Sequence, residues 1–152
     1  MMRQIRVYLD NCCYNRPFDD QSQIRVFLET QAKLHIQSLI GNARLELAYS
    51  YMSVFENRNN PDDDNSKIIE DFFAYAAFFV DPNQEKTIEN RAEQIKNKGI
   101  KRKDAIHLAC AIEAECDYFI TTDDMILKRY ADKDIKVCSP VEFLTLGEVE
   151  NA

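Results

Sequence analysis

The sequence has no uncharged apolar run approaching the eighteen residues that a membrane span needs. It also shows no internal repeat, no low-complexity tract and no linker-like stretch, which points to one domain. The opening MMRQIRVYLD reaches charge and a strand pattern too early for a secretory signal, so the expected location is cytoplasmic. The five cysteines are odd in number and have no CxxC spacing; reduced thiols are expected rather than a disulfide framework. His35 and His107 have no cysteine at ligand spacing, which speaks against a zinc site. There is no basic surplus either. Twenty-six acids against nineteen bases leave a net charge of −7, an unfavourable balance for simple electrostatic binding of nucleic acid.

The 152 residues, 45% hydrophobic and 30% charged, are enough for a core without covalent staples. Disorder is expected only at the ends, with residues 1–146 as the domain and 147–152 as a polar tail. The bases cluster: KNKGIKRK, Lys96 to Lys103, holds five positive residues in eight positions. That run is either a solvated loop and helix start or, beside an acid, a phosphate-contacting rim of Lys98, Lys101, Arg102 and Lys103.

Hydrophobic patterning alternates strand and helix. Gln4–Asp10, Arg44–Ser50, Asp117–Thr122 and Asp134–Ser139 read as short strands. NCCYNRPF reads as a loop. Helices are expected over Asp19–Ile40, with Ile24, Phe27, Leu28, Leu34, Ile36 and Leu39 near the packed face, and over YMSVFENR. Further helices are expected over KIIEDFFAYAAFFV, Thr87–Lys98, Lys101–Glu115 and Asp124–Ala131. Gly41-Asn42 is the expected left-handed stop of the first long helix, and Asn65 or Ser66 the cap of a later one. Ser139, Pro140 and Glu142 form the signature of a capping box. Short buried strands between helices predict an α/β fold, a mostly parallel sheet covered on both faces.

Two acids occupy informative stations. Asp10 ends the first strand and Asp123 follows the strand YFITT, and ligands of open parallel sheets bind outside the carboxyl ends of the strands. Asp123 equally suits a helix N-cap. Asp104 opens the apolar helix DAIHLACA, where the helix dipole favours an acid and burial would aim it at a cleft. Glu56, near the end of YMSVFENR, says nothing on its own.

Taken together, YLDNCCYNRPFDD, AYSYMSVFENRNNP, KRKDAIHLACA and FITTDD with MILKR resemble the PIN-domain family across essentially the whole chain. The resemblance is to the small single-domain members, many of which are VapC-type toxins of toxin–antitoxin pairs. It implies a PIN-like three-layer α/β/α sandwich with a four- to five-stranded sheet. It also implies a Mg²⁺- or Mn²⁺-dependent endoribonuclease acting on RNA, a homodimer, and an antitoxin protein as partner. By residue, it implies Asp10, Asp104 and Asp123 as metal ligands and Glu56 as a further catalytic acid. Thr121, Asn11 and Ser50 would be supporting neighbours. His107 shares the Asp104 helix face and could contact substrate or bridge to the acids; a packed, hydrogen-bonded histidine is preferred. A haloacid-dehalogenase-type phosphatase would need D-x-D after the first strand, where Asp10-Asn11-Cys12 stands, and a response-regulator receiver places its acids at other stations. The remaining alternative is a catalytically silent PIN-fold module that binds nucleic acid or protein.

Overall fold

The computed structural model describes residues 4–131, 133–146 and 149. Five strands form one sheet: β1 (Arg6–Leu9), β2 (Glu46–Ser50), β3 (Phe78–Val80), β4 (Tyr118–Ile120) and β5 (Lys136–Cys138). Every pairing is parallel and the order is β3-β2-β1-β4-β5. Val7 stands opposite Leu47 on one side and Tyr118 on the other, so β1 is central. The strand order reverses between β1 and β4, and this switch opens a crevice at their carboxyl ends.

The side-chain period of two divides the core into two apolar clusters. Tyr8, Ala48 and Phe119 pack with α5 (Glu85–Lys96), α6 (Arg102–Glu113) and α7 (Asp124–Arg129). Val7, Leu9, Leu47, Tyr118 and Ile120 pack with α2 (Ile24–Gly41), α4 (Asp63–Phe73) and α8 (Pro140–Leu144). The result is a sheet covered on both faces, as the patterning predicts. α6 is the most deeply sunk helix element: Ala105 to Ala111 are all buried, and small residues let it lie close to α5. The capping box at Ser139 and Glu142 is present. All five cysteines carry free thiols. No described helix is long and apolar enough to cross a membrane.

Several local expectations are corrected. NCCYNRPF is not a loop: α1 (Asn11–Asn15) starts directly after Asp10, and a 3₁₀ turn follows over Arg16–Phe18. The apolar stretch KIIEDFFAYAAFFV is not one helix. α4 begins three residues before the expected cap, on Asp62, and stops at Phe73; Phe78–Val80 is an edge strand. The Ala77 N–H donates to the Leu47 carbonyl (2.8 Å), which starts that pairing, and a short apolar run alone cannot separate helix from strand. The left-handed residue after α2 is Ala43 (φ 60°), not Gly41 or Asn42. Of the tail 147–152, only Val149 is described, and it is buried against Leu146 rather than trailing into solvent; the rest lies outside the described residues.

The largest correction concerns α2. Ile24, Phe27, Leu28 and Leu34 are exposed (77, 47, 51 and 43%), whereas Glu29, Thr30 and Lys33 are buried with Ile36 and Leu39. Charge is tolerated inside because it is paired. The Arg16 guanidinium donates twice to Glu29 Oε1 (2.9 and 2.6 Å), and Arg25 reaches Oε2 at 3.3 Å. Lys33 donates to Gln37 (2.6 Å) and lies over the Phe72 ring; burial lowers its pKa to about 8. Removing one partner from a buried pair leaves the other charge uncompensated. Glu29→Ala is therefore expected to lose about 2–3 kcal/mol in urea unfolding, discounted for the partly exposed arginines. A loss within the error of the wild-type value would contradict the role given to this pair.

Candidate active site

Asp10 leaves β1 at the switch point, its N–H donating to the Ile120 carbonyl of β4 (2.9 Å). It is buried. Oδ1 accepts the Asn11 N–H (2.9 Å), so Asp10 caps α1; Oδ2 accepts the Thr121 hydroxyl (2.8 Å). That hydroxyl also accepts the Asp123 N–H (3.0 Å), so one buried Oγ ties both strand-exit aspartates together. Asp123 caps α7 as well, Oδ1 accepting from Met125 N–H (2.8 Å) and Ile126 N–H (3.4 Å). Its helix-cap role and its place at the crevice are both present.

Asp104 stands half-buried in the first turn of α6. Burial pushes its pKa up to about 6, with Asp10 and then Asp123 adding repulsion, while His107 opposes the shift. Glu56, on α3 (Tyr51–Arg58), makes a short hydrogen bond to His107 Nε2. A carboxylate only accepts, so Nε2 carries a proton. His107 Nδ1 meets the Tyr8 hydroxyl (2.6 Å), which in turn meets Ser50 Oγ (2.7 Å) and Ser53 Oγ (3.1 Å). Ser50 and Ser53 cap α3 reciprocally. His107 is therefore packed and hydrogen-bonded, as preferred, and it also bridges to one of the acids, Glu56, as the alternative had it.

These groups meet in one cleft of about 340 Å³, lined by Asp10, Asn11, Cys12, Asn15, Asp19, Glu56, Asp104 and Asp123. No lysine or arginine is in that lining. A larger hollow of about 700 Å³, lined by residues such as Ile5, Asp117 and Lys136, contains none of the four acids. The basic rim divides. Lys103 borders a neighbouring hollow and Lys101 a small recess next to Asp104 and Asp123, but Arg102 pairs with Glu89 (2.7 Å) and Lys98 lies over the Tyr130 ring.

Tyr8, Ser53, Asp19 and Arg25 were not singled out by the sequence. Tyr8 carried a signal, since a tyrosine inside a buried apolar strand needs a partner for its hydroxyl. Arg25 carried none: it grips Asp124 with two bonds (2.9 and 2.8 Å) and the Thr122 carbonyl (3.0 Å), holding α2 against the β4 exit.

The fold is similar to that of a chain in the crystal structure of VapBC2 from Rickettsia felis bound to a DNA fragment from their promoter. The TM-score is 0.53 and identity 14%, over 88% of this chain and 97% of that one. The fold is PIN-like. Neither a protein-family model nor a curated protein matches the chain.

Carboxylate oxygens are hard donors of the kind that suit Mg²⁺ or Mn²⁺, and the repulsion from Asp10 and Asp123 that adds to burial in raising Asp104 is what such an ion would relieve. The set fits by its chemistry. Among the described residues, no three His, Cys, Asp or Glu side chains are already gathered as a metal-holding group. The four acids share a cleft, with hydrogen bonds holding Asp10, Asp123 and Glu56 in place.

The raised pKa has a testable sign. Asp104 binds a proton more tightly folded than unfolded, so its cost is absent near pH 3.8 and below and is fully present above about pH 6. Asp104→Asn removes that cost. In metal-free buffer the variant is expected to be about 1–2 kcal/mol more stable than wild type at pH 7.5, a figure discounted for solvent screening of a half-exposed carboxylate, with no gain at pH 3.5. Thermal or urea unfolding at the two pH values checks this, and a variant less stable at pH 7.5 would contradict it.

Proposed function

We propose that the protein is a divalent-metal-dependent endoribonuclease that hydrolyses RNA phosphodiester bonds. The observation that carries this reading is the meeting of Asp10, Glu56, Asp104 and Asp123 in one cleft at the switch point of a parallel sheet. They come from four separate segments, and a fold with no use for them there would leave like charges together at a cost.

In this reading Asp10, Asp104 and Asp123 would hold Mg²⁺ or Mn²⁺. Such an ion, when bound, supplies Lewis acidity toward phosphate oxygens and water. Thr121 and the Asn11 N–H fix Asp10, so its carboxylate is oriented before a ligand arrives. Glu56, anchored by His107, orients the attacking water and takes up its proton. Lys103 and Lys101 meet the phosphate chain at the margins, where an acidic protein would otherwise repel it.

As the structural neighbour belongs to a VapBC complex, the partner proposed is a small antitoxin whose basic or bulky side chain enters the acidic cleft. The proposed assembly is a homodimer and the proposed location cytoplasmic. A second reading, a catalytically silent PIN-fold module, is favoured by one observation: Asp10, Asp123 and Glu56 are engaged in hydrogen bonds of their own, and among the described residues no three such side chains close into a metal-holding group.

The two readings part on cleavage of several RNAs with Mn²⁺ or Mg²⁺ against an EDTA control. The nuclease reading expects cleavage only with metal, and about 100-fold or greater loss in Asp10→Asn and Asp104→Asn, as when groups that stabilise the transition state are removed. Cleavage in EDTA, or full activity in Asp10→Asn, defeats it. Tyr8→Phe, which leaves the acids in place but takes the hydroxyl from His107, is expected to lower kcat about 3- to 30-fold with KM little changed, the cost of a mispositioned group. A rise in KM alone would remove Glu56 from the chemical step.

A further inference from the structure

Beside the acidic cleft lies a second hollow of about 310 Å³, which shares Asn11, Asn15 and Glu56 with it. It adds Phe55, Asn60 and Lys103. Its volume lies at the small end of ligand pockets, enough for one compact ring system. Phe55 precedes Glu56 on α3 and is 56% exposed, an apolar ring at the lip of an otherwise polar hollow.

The amides behind it are held in place. The Asn60 amide donates to Asn15 Oδ1 (3.0 Å), and the Asn15 amide donates to the Asn11 carbonyl (3.1 Å) and to Asn11 Oδ1 (3.3 Å). The Asp62 N–H fixes Asn60 Oδ1 (3.0 Å). This chain of amides ends on Asn11, whose side chain borders both hollows. Lys103, next to Asp104 in sequence, gives the hollow a cation.

A flat apolar ring, amides that both donate and accept, and one cation match three parts of a nucleotide: the face of the base, its hydrogen-bonding edge and its phosphate. We propose that this hollow seats the base of the nucleotide adjoining the scissile phosphate of a single-stranded RNA. The base stacks on Phe55, its edge meets the asparagine amides, and the flanking phosphate faces Lys103. This subsite rests on the ribonuclease reading of the neighbouring cleft. It selects against duplex RNA, whose bases are stacked on one another and cannot be presented singly. Preformed amides lower the ordering cost of binding.

The test uses fluorescence anisotropy of a labelled single-stranded RNA octamer, its duplex, and octamers with one abasic nucleotide at each position in turn. Binding is measured with Ca²⁺ in place of Mg²⁺, and again in EDTA. Phe55→Ala is expected to weaken single-strand binding about 5- to 100-fold, the range for losing one base–aromatic stack. Phe55→Trp is expected to restore it, duplex binding to stay unchanged, and circular dichroism melts to coincide. At one abasic position wild type should lose the same affinity, and there Phe55→Ala should add no further loss. Wild-type affinity in Phe55→Ala, or an equal loss on the duplex and on every abasic octamer, overturns the subsite. Metal-dependent cleavage with full affinity in Phe55→Ala fells the subsite alone. Phe55-dependent binding without any cleavage fells the nuclease reading, and with it the placement beside a scissile phosphate, and leaves only the stacking of a base on Phe55. A protein that neither binds nor cuts RNA overturns both.

Discussion

Like charges do not gather at a sheet edge unless something else holds them there, and here that task falls on the Thr121 hydroxyl. It donates to Asp10 at the exit of β1 and accepts from the Asp123 backbone at the exit of β4. These are the two strands between which the order reverses, so the crevice and the bridge across it coincide. Because Thr121 is fully buried, both of its bonds are made away from competing water, where breaking them costs most. The first turn of α1 and the first turn of α7 each give backbone N–H groups to an aspartate, and the partial positive charge at a helix start offsets part of the repulsion.

The other two acids are placed by a different device. Asp104 arrives on a helix that is buried almost throughout, so its position is as rigid as the core that α6 helps to form. Glu56 rides on a short helix, and His107, one turn further along α6 than Asp104, ties it back to the interior through Tyr8 and the serine cap of α3. The two catalytic candidates from the middle of the chain are thus coupled through α6. Asp104 keeps its proton to an unusually high pH for a carboxyl group because burial and the neighbouring Asp10 and Asp123 act together and outweigh His107. Rigidity of this kind preorganises a site and also stores an electrostatic cost in it.

The net charge of −7 is unevenly distributed over the molecule. Five acids line the central cleft, while Lys101 and Lys103 lie at its margins. The buried ion pairs of α2 use further charges for architecture: Arg16 and Arg25 share Glu29, and Arg25 continues to Asp124 next to the site. Part of the charged composition therefore holds the strand exits in place and is not available to meet a ligand.

Elements whose signals are local are legible in the chain alone. Strands β1 (Arg6–Leu9) and β4 (Tyr118–Ile120) carry short apolar runs bounded by polar residues, and the Ser139 box is written in four consecutive positions. The stations of Asp10, Asp104 and Asp123 followed from strand and helix ends, and Glu56 from family resemblance alone. The rest was settled by residues distant in the chain. The buried face of α2 takes in Glu29 and Lys33 because Arg16 and Phe72 meet them there, which no helical period can reveal. Phe78–Val80 became a strand because Leu47 offered a carbonyl. Tyr8 joined the site because Ser50 and His107, forty-two and ninety-nine positions away, closed around its hydroxyl. Periodicity reports which side chains are apolar; packing decides which of the polar ones can afterwards be satisfied.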